Sequence, residues 1–504
     1  GDTLNIGEYG VFTDGQEIIL KGEFVRSDDQ LCDLKSTAYT FAVNNSPNLT
    51  LSALSGTYDF TSGDTLLFTA ASDSSGATIS WSVPNAGDTL SVTSIGSYTA
   101  TASMNGCSVS ESFVVEEAMY VAKTGNDISG DGSLSNPYKT IQHGIDMAPS
   151  GGKLYVLPGT YNENLVFDKQ IRLLSDFVRL DNSNARSTTI INAGFSGRAI
   201  EFSNTTRIDV DSTVIDGFTI KNGDANGDEG SGIYANWNQG SGLTINNSII
   251  SNHRKQCCSD GIAMNIHGVD LYLNNVDILD NGSPVYWDER QVLSLRHLTS
   301  VWNEVRFNGN ESNNSLIYLY ETDLTINNSE FIGNTIQDNN QALIGADWNS
   351  DVVLNHVTMT NNIGQGYGIK VENNQDQKVV VYNSAIDGFA QGGIKTAGSN
   401  NEVYLINSII NSIPQAISGN GNVTSVNTLE ITSLELNTNG TLKQTSPAIG
   451  LGGADTTVAG YRLSSPAFDL AGAMRPNPAG SRPDAGAYED SLARGLFGLE
   501  VSNC

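Results

Sequence analysis

Two carboxylates with basic and aromatic neighbours are the least that glycosidic chemistry asks of a chain, and residues 287–306 supply such a set. Trp287-Asp-Glu-Arg290 is followed by Trp302-Asn-Glu304 and then Arg306. Asp288, Glu289 and Glu304 are the candidate acids. A glycosidase needs two carboxyl groups about 5 to 10 Å apart, one of them to protonate the leaving oxygen, and neighbouring parallel strands lie about 4.8 Å apart. Trp287, Trp302, Arg290 and Arg306 are the matching binding residues, since rings stack on sugars and guanidinium groups give forked hydrogen bonds. Trp237, Trp287 and Tyr318 share one offset, ten residues ahead of a repeated turn, which predicts aromatics on a common face. The plainer reading is that these rings fill corners between coils. Asp347-Trp348 lies further along.

Metal chemistry has thinner support. Asp224, Asn226 and Asp228 place oxygen donors at alternate positions, as the opening of a Ca²⁺ loop does. Glu229 stands where that loop needs glycine, with Gly230 after it, and an Asp/Gly turn is the competing reading. Asp127 and Asp131 flank a second such loop. A lyase needs a Lys or Arg base beside Ca²⁺ held by several carboxylates. The nearest string, His253-Arg-Lys-Gln-Cys-Cys-Ser-Asp260, holds bases but a single carboxylate, and reads as a solvated turn. No Ser-His-Asp arrangement, P-loop or dinucleotide fingerprint stands in a fitting context. No cofactor is required, and Ca²⁺ is the one ion with candidate donors.

The elements that must position these residues repeat. Eight segments between Thr213 and Ile410 carry two apolar residues one apart, a polar turn pair, then a second apolar pair; Leu243-Thr-Ile-Asn-Asn-Ser-Ile-Ile250 is one. With the second turn residue as origin, they align on Gly217, Asn247, Asn275, His297, Asn328, His356, Asn383 and Asn407, spaced 22 to 31 residues apart. Two residues before every origin is an aliphatic side chain. Alternation of period two is a strand with one face buried, and a repeat of this length means units stacked on one another. The expectation is a parallel β-helix whose turn asparagines form a ladder, since Asn tolerates the left-handed region and its amide bonds to neighbouring backbone.

Composition agrees with an all-β protein rich in tight turns, with 52 glycines and 16% charged residues. The net charge of −29 argues against nucleic acid, which needs a basic footprint, and against unaided binding of polyanionic sugars. No apolar run approaches the length of a membrane-spanning helix. Five cysteines exclude a dense disulfide framework; Cys257 and Cys258 are adjacent. The chain does not begin with Met and reads as a piece of a longer precursor.

Ahead of the repeats, residues 48–117 read as an immunoglobulin-like β-sandwich, with Trp81 inward on a central strand and Tyr98 near the start of a later one. Residues 1–47 read as a partial or atypical module of the same kind. Residues 118–490 form the β-helix, its open end plugged by an amphipathic helix at about 137–148, opened by Asn136-Pro137 with Ile141 and Ile145 on one face. Residues 491–504 are a C-terminal extension. Tyr120–Asn126, Asn136-Pro-Tyr-Lys-Thr-Ile141 and Pro158-Gly-Thr-Tyr161 resemble the opening of pectate-lyase-like right-handed β-helix proteins, and Asp216-Gly-Phe-Thr-Ile-Lys-Asn222 their recurrent coil. Ser446-Pro-Ala-Ile449, Asp469-Leu-Ala-Gly472, Arg475 and Asp484-Ala-Gly-Ala-Tyr-Glu489 resemble the closing segment of bacterial surface proteins with such a β-helix. The module carrying Asn105-Gly-Cys107 is similar to those of large secreted proteins of the Bacteroidota. The resemblance implies an extracellular or cell-surface location. Two functions are expected from the whole. The first is a non-catalytic adhesin or rigid stalk that presents a long face to glycans or other surface components, with homo-oligomeric assembly open. The alternative is a secreted polysaccharide lyase or glycoside hydrolase.

Overall fold

The computed structural model describes residues 17–20, 39–42, 46–54, 59–60, 65–84, 87–180, 185–204, 206–225, 228–236, 238, 240–254, 260–282, 291–411 and 414–492, the first two stretches as backbone only. The chain is mostly β and divides into two compact units, 1–118 and 119–504. In the first unit Glu17–Leu20 pairs antiparallel with Tyr39–Ala42; the remainder of 1–45, read above as a module, lies outside the described residues. Residues 50–118 form two small sheets. Thr50–Ala53, Leu66–Ala71 and Thr89–Val92 make one, and Thr78–Trp81 joins Gly96–Met104 and Cys107–Val121 in the other. Phe68, Trp81, Leu90, Tyr98 and Ala100 are its core.

The second unit is a parallel β-solenoid. Each coil contributes one strand to each of three longitudinal sheets. Met264–His267, Leu271–Asn274 and Asp277–Leu279 are the three strands of one coil, and each pairs in parallel with its counterparts before and after. These are called sheets one, two and three in chain order. The alternation predicted from sequence is the cause: Leu271 and Leu273 point inward and are fully buried, while the alternate residues Tyr272 and Asn274 are not. Stacked coils then build one continuous core from Val121 to Ala416.

All eight predicted origins have positive φ, Gly217 at 86° and the other seven between 47° and 54°. One of the eight is in the wrong column. Asn274 is registered with Asn303, and Asn303 with Asn327, so the turn residue of that coil is Glu304, with φ 57°. His297 belongs instead to the corner between sheets one and two. The aliphatic template failed there because the inward column runs Leu273, Trp302, Ile326. Trp302 is fully buried, and its indole N–H donates to Ser300 Oγ at 2.8 Å. Ser300 occupies the place of Leu271 and Leu324 in adjacent coils, so a small residue offsets the large one and also satisfies its polar atom.

The turn amides do form ladders. Asn274 Nδ2 donates to Asn246 Oδ1, Asn303 to Asn274, Asn327 to Asn303 and Asn355 to Asn327, at 2.8 to 3.1 Å. A second ladder, fully enclosed, begins just after sheet three. Asn281, Asn310 and Asn334 each hand an amide hydrogen to the next rung and another to a core-strand carbonyl. His253 is the first member: its N–H donates to Asn281 Oδ1, and its ring bonds Gly223 N–H and Ile220 C=O. It is fully buried, so the expected solvated turn at 253–260 is not what the described part of that string forms, and burial pushes its pKa down to about 4.

The capping helix is shorter than expected, Ile141–Met147, with Thr140 as its N-cap rather than Asn136. Tyr138 forms a strand bridge to Val121, so the segment after Pro137 is extended. Ile141 and Ile145 are fully buried against the first coil. Glu163 accepts from the Ile141 and Gln142 N–H groups, satisfying donors that every helix start leaves open. Asp127 accepts from Lys139 and Thr140 N–H, and Asp131 from Ser133 N–H, which makes that Gly/Asp loop a structural anchor. At the far end, residues 433–490 fold back over the corner between sheets two and three, where Asn328, Asn355, His356 and Asn383 all bond to them. No helix among the described residues is long and apolar enough to cross a membrane.

Candidate functional site

The outer face of sheet one gathers the chemistry. Parallel register stacks Asn265, Ser294, Tyr318, Gly345, Lys370 and Lys395 in one outward column, and His267, Arg296, Tyr320 and Asp347 in the next. Glu372 continues the second column, because its N–H bonds Ala346 C=O just as the strands run past each other. Asp347 and Glu372 therefore sit on neighbouring strands, about 4.8 Å apart at the backbone.

Their surroundings differ. Asp347 accepts three hydrogen bonds: from Tyr318 O–H at 2.9 Å, Asn373 Nδ2 at 2.6 Å and Trp348 N–H at 2.9 Å. Glu372 is half-buried, and burial first, then the Asp347 charge, push its pKa up, against the opposing pull of Lys370. Lys370 is itself buried and lies 2.5 Å from Glu372. Gly345 stands in the first column between Tyr318 and Lys370, where a Cβ would lie 2.5 Å from Ser315 Oγ and 3.7 Å from Glu372 Oε1, so the Ser315 side chain packs against the glycine. One carboxyl that accepts three hydrogen bonds beside another biased toward its acid form is a pairing that acid–base chemistry can use.

Arg296 closes the strip on one side, paired to Asp260 and standing 5.3 Å over the Tyr318 ring. Along the corner between sheets one and two runs a row of rings. His267 stacks on His297 at 5.0 Å, His297 meets Tyr320 edge-on at 5.3 Å, and Tyr320 stacks on Trp348 at 6.4 Å. His297 Nδ1 lies 2.7 Å from Glu321. Asp270, His297, Glu321, Asp323 and Asn349 line a shallow depression of about 450 Å³ beside it.

The residues singled out from sequence scatter. Asp288, Glu289, Trp287, Arg290, Trp237 and Asn226 lie outside the described residues, as do Cys257 and Cys258. Trp302 has no exposed ring face and is a core residue, not a stacking surface. Arg306 is paired to Asp277 and donates to Leu470 C=O at 2.9 Å, tying the C-terminal segment to sheet three. Glu304 is exposed at the corner between sheets two and three. None of these three joins Tyr318, which does stand in the strip. Asp224 is fully buried with Arg254 Nε at 3.1 Å, and Asp228 is in an exposed turn. No group of three His, Cys, Asp or Glu side chains suited to a metal occurs among the described residues.

Sequence reasoning passed over Glu372 and Lys370 and gave Asp347 no role. The alternation Lys370-Val-Glu372 puts two charged groups on one strand face, which was the available signal, but their juxtaposition with Asp347 depends on register.

No family model matches the chain, and no curated protein matches it. Among solved structures it is similar to a pectate lyase, Pel9A, at 15% identity over 74% of this chain and 96% of that one, TM-score 0.45. A rhamnogalacturonan lyase aligns at 12% identity over 65% and 95%, TM-score 0.30. The pectin methylesterase PemA from Erwinia chrysanthemi aligns at 12% over 65% and 92%, TM-score 0.25. The protein is a β-solenoid with distant structural likeness to these β-helix proteins that act on carbohydrate.

Proposed function

We propose that this protein is an extracellular, carbohydrate-acting enzyme whose site is the outer face of sheet one, and that it hydrolyses glycosidic bonds. Glu372 is the proton donor to the leaving oxygen, and Asp347 is the carboxylate that faces the developing positive charge or activates water. The observation that carries this is the pair itself: two carboxyl groups on adjacent strands, one saturated with donors and one biased toward its neutral form. Arg296 and Tyr318 supply hydrogen bonds and ring surface to the sugar. Hydrolysis of a neutral glycan is preferred to lyase chemistry on a uronate, because the −29 charge opposes a polyanion and no calcium donor set converges among the described residues. The test is reducing-end release from a panel of neutral polysaccharides. Asp347→Asn and Glu372→Gln are each expected to lower turnover by about 10² to 10⁴-fold. Unchanged turnover in both would remove the assignment.

A second reading is a non-catalytic adhesin or stalk. It draws support from the row His267, His297, Tyr320 and Trp348, which lines a long face without needing the acid pair. Glycan retention without cleavage, unaffected by Asp347→Asn, is its signature. Under either reading the solenoid is proposed to wind right-handed, and 48–117 to be an immunoglobulin-like module. The latter draws support from the two sheets that enclose Trp81, and from Tyr98 O–H, which donates back to Ser94 C=O at 2.8 Å as a tyrosine corner does.

A further inference from the structure

The corner after the Asp347 strand holds a residue that the turn does not call for. Successive coils place Gly268 (φ 76°), His297 (54°), Glu321 (47°), and then Trp348 (41°) with Asn349 (55°) at the junction of sheets one and two. The corner needs positive φ, which Gly or Asn adopts at least cost; a bulky side chain there is an outlier. Burial does not account for it, because Trp348 is 43% exposed. Its root is nevertheless fixed. The Trp348 N–H donates to Asp347 Oδ1, and its C=O accepts from Glu321 N–H at 2.8 Å. Tyr320 backs the indole, the two planes 9° apart. Asp347 thus belongs to the acid pair, and Asn349, two residues on, lines the 450 Å³ depression, with Trp348 between them.

We propose that Trp348 is the sugar-stacking residue of a second subsite, and that a neutral pyranose chain crosses this corner from the Asp347–Glu372 pair, over the indole, into the depression. Where Trp348 stands relative to bond cleavage rests on the hydrolase reading; stacking itself does not. An exposed, rigidly rooted ring offers an apolar face to a sugar at small entropic cost. Asp270, Glu321 and Asp323 in the depression are acceptors for sugar hydroxyls and would repel a uronate.

The experiment pairs binding with cleavage, using cello-, xylo-, manno- and chito-hexaose and the matching aryl monoglycosides. Trp348→Asn retains a residue suited to the left-handed corner, and its thermal midpoint should match wild type. Its dissociation constant for the bound hexaose should rise about tenfold, with monoglycoside binding unchanged, while Glu372→Gln should bind the hexaose normally and not cleave it. If wild type cleaves a hexaose and Trp348→Asn binds it equally well, the subsite is wrong and the hydrolase stands. If Trp348→Asn loses binding but wild type cleaves nothing, the subsite stands and the hydrolase falls. If no hexaose binds wild type, both are overturned.

Discussion

Glu372 is pulled in opposite directions by its neighbours, and this makes its role measurable. Burial and Asp347 raise its pKa, and Lys370 lowers it. A proton donor works in its protonated form, so the alkaline limb of kcat should lie above the usual carboxylate range. Lys370→Met removes the charge that favours the anion, so the limb should move to still higher pH; an unmoved limb would mean that Glu372 does not set it. Trp302 makes the contrasting case. It carries the aromatic character of a sugar site but sits in the core with its N–H satisfied by Ser300. Trp302→Ala is expected to lower unfolding stability by about 3 to 5 kcal/mol, read as a urea midpoint, and to leave glycan binding by the folded fraction unchanged. Residue type alone could not separate the two. Tryptophan near Glu and Arg reads the same whether its ring faces sugar or core, and only the register that replaces Leu273 by Trp302 decides it.

At the scale of the element, hydrogen-bonded ladders hold the corners, and their worth depends on access to water. Asn310 Nδ2 donates to Ile278 C=O at 2.8 Å and to Asn334 Oδ1 at 3.1 Å, and its Oδ1 accepts from Asn281, all in full burial. Asn310→Ala leaves a buried carbonyl and amides unpaired, which costs about 1 to 3 kcal/mol or more. Asn222 belongs to a half-exposed ladder, bonded to Asn192 and Asn252, where water replaces the lost partner. Asn222→Ala should fall within about 0.5 kcal/mol of wild type apart from the cost of its positive φ. Equal effects in chemical denaturation would contradict this account. The ladders were legible in the recurring Asn pairs, and the strands in their alternation. The coil holding Glu304 was not, because its column swaps a leucine–isoleucine pair for Ser300 and Trp302, and a template of aliphatic spacing slides past it to Leu295.

At the scale of the molecule, the last described segment acts as a clasp on the solenoid. Tyr488 O–H donates to Glu330 at 2.6 Å, Tyr461 O–H to Asp351 at 2.6 Å, and Ala487 N–H to Thr358 Oγ1 at 2.9 Å. Its centre is a buried ion pair, Arg475 Nε with Glu489 Oε1 at 3.1 Å, a charge contact rather than an aligned hydrogen bond. Asp484 lies beside it, and burial, with help from the Glu489 charge, pushes its pKa up to about 7, although Gly450 and Asp490 N–H groups favour its anion. Because the folded value is raised, this group's contribution to stability is complete below the ordinary carboxylate range and is lost as pH rises through about 7. The thermal midpoint should therefore fall between about pH 5 and about pH 8, and fall less in Asp484→Asn. An identical decline in the variant would assign the effect elsewhere.

By itself the sequence determined the solenoid. Inward aliphatic residues at alternate positions, recurring every few tens of residues with a left-handed turn residue, leave few other ways to bury the apolar face. It also determined the helical plug, through Ile141 and Ile145, and the amide ladders. It did not determine the site. Asp347 with Trp348 and Lys370 with Glu372 come from two successive coils, and a one-residue change of register turns a side chain to the opposite face of its sheet. Which charged groups meet, which are shielded from water, and which aromatic ring is left exposed are properties of the stack of coils, and these the tertiary structure alone decided.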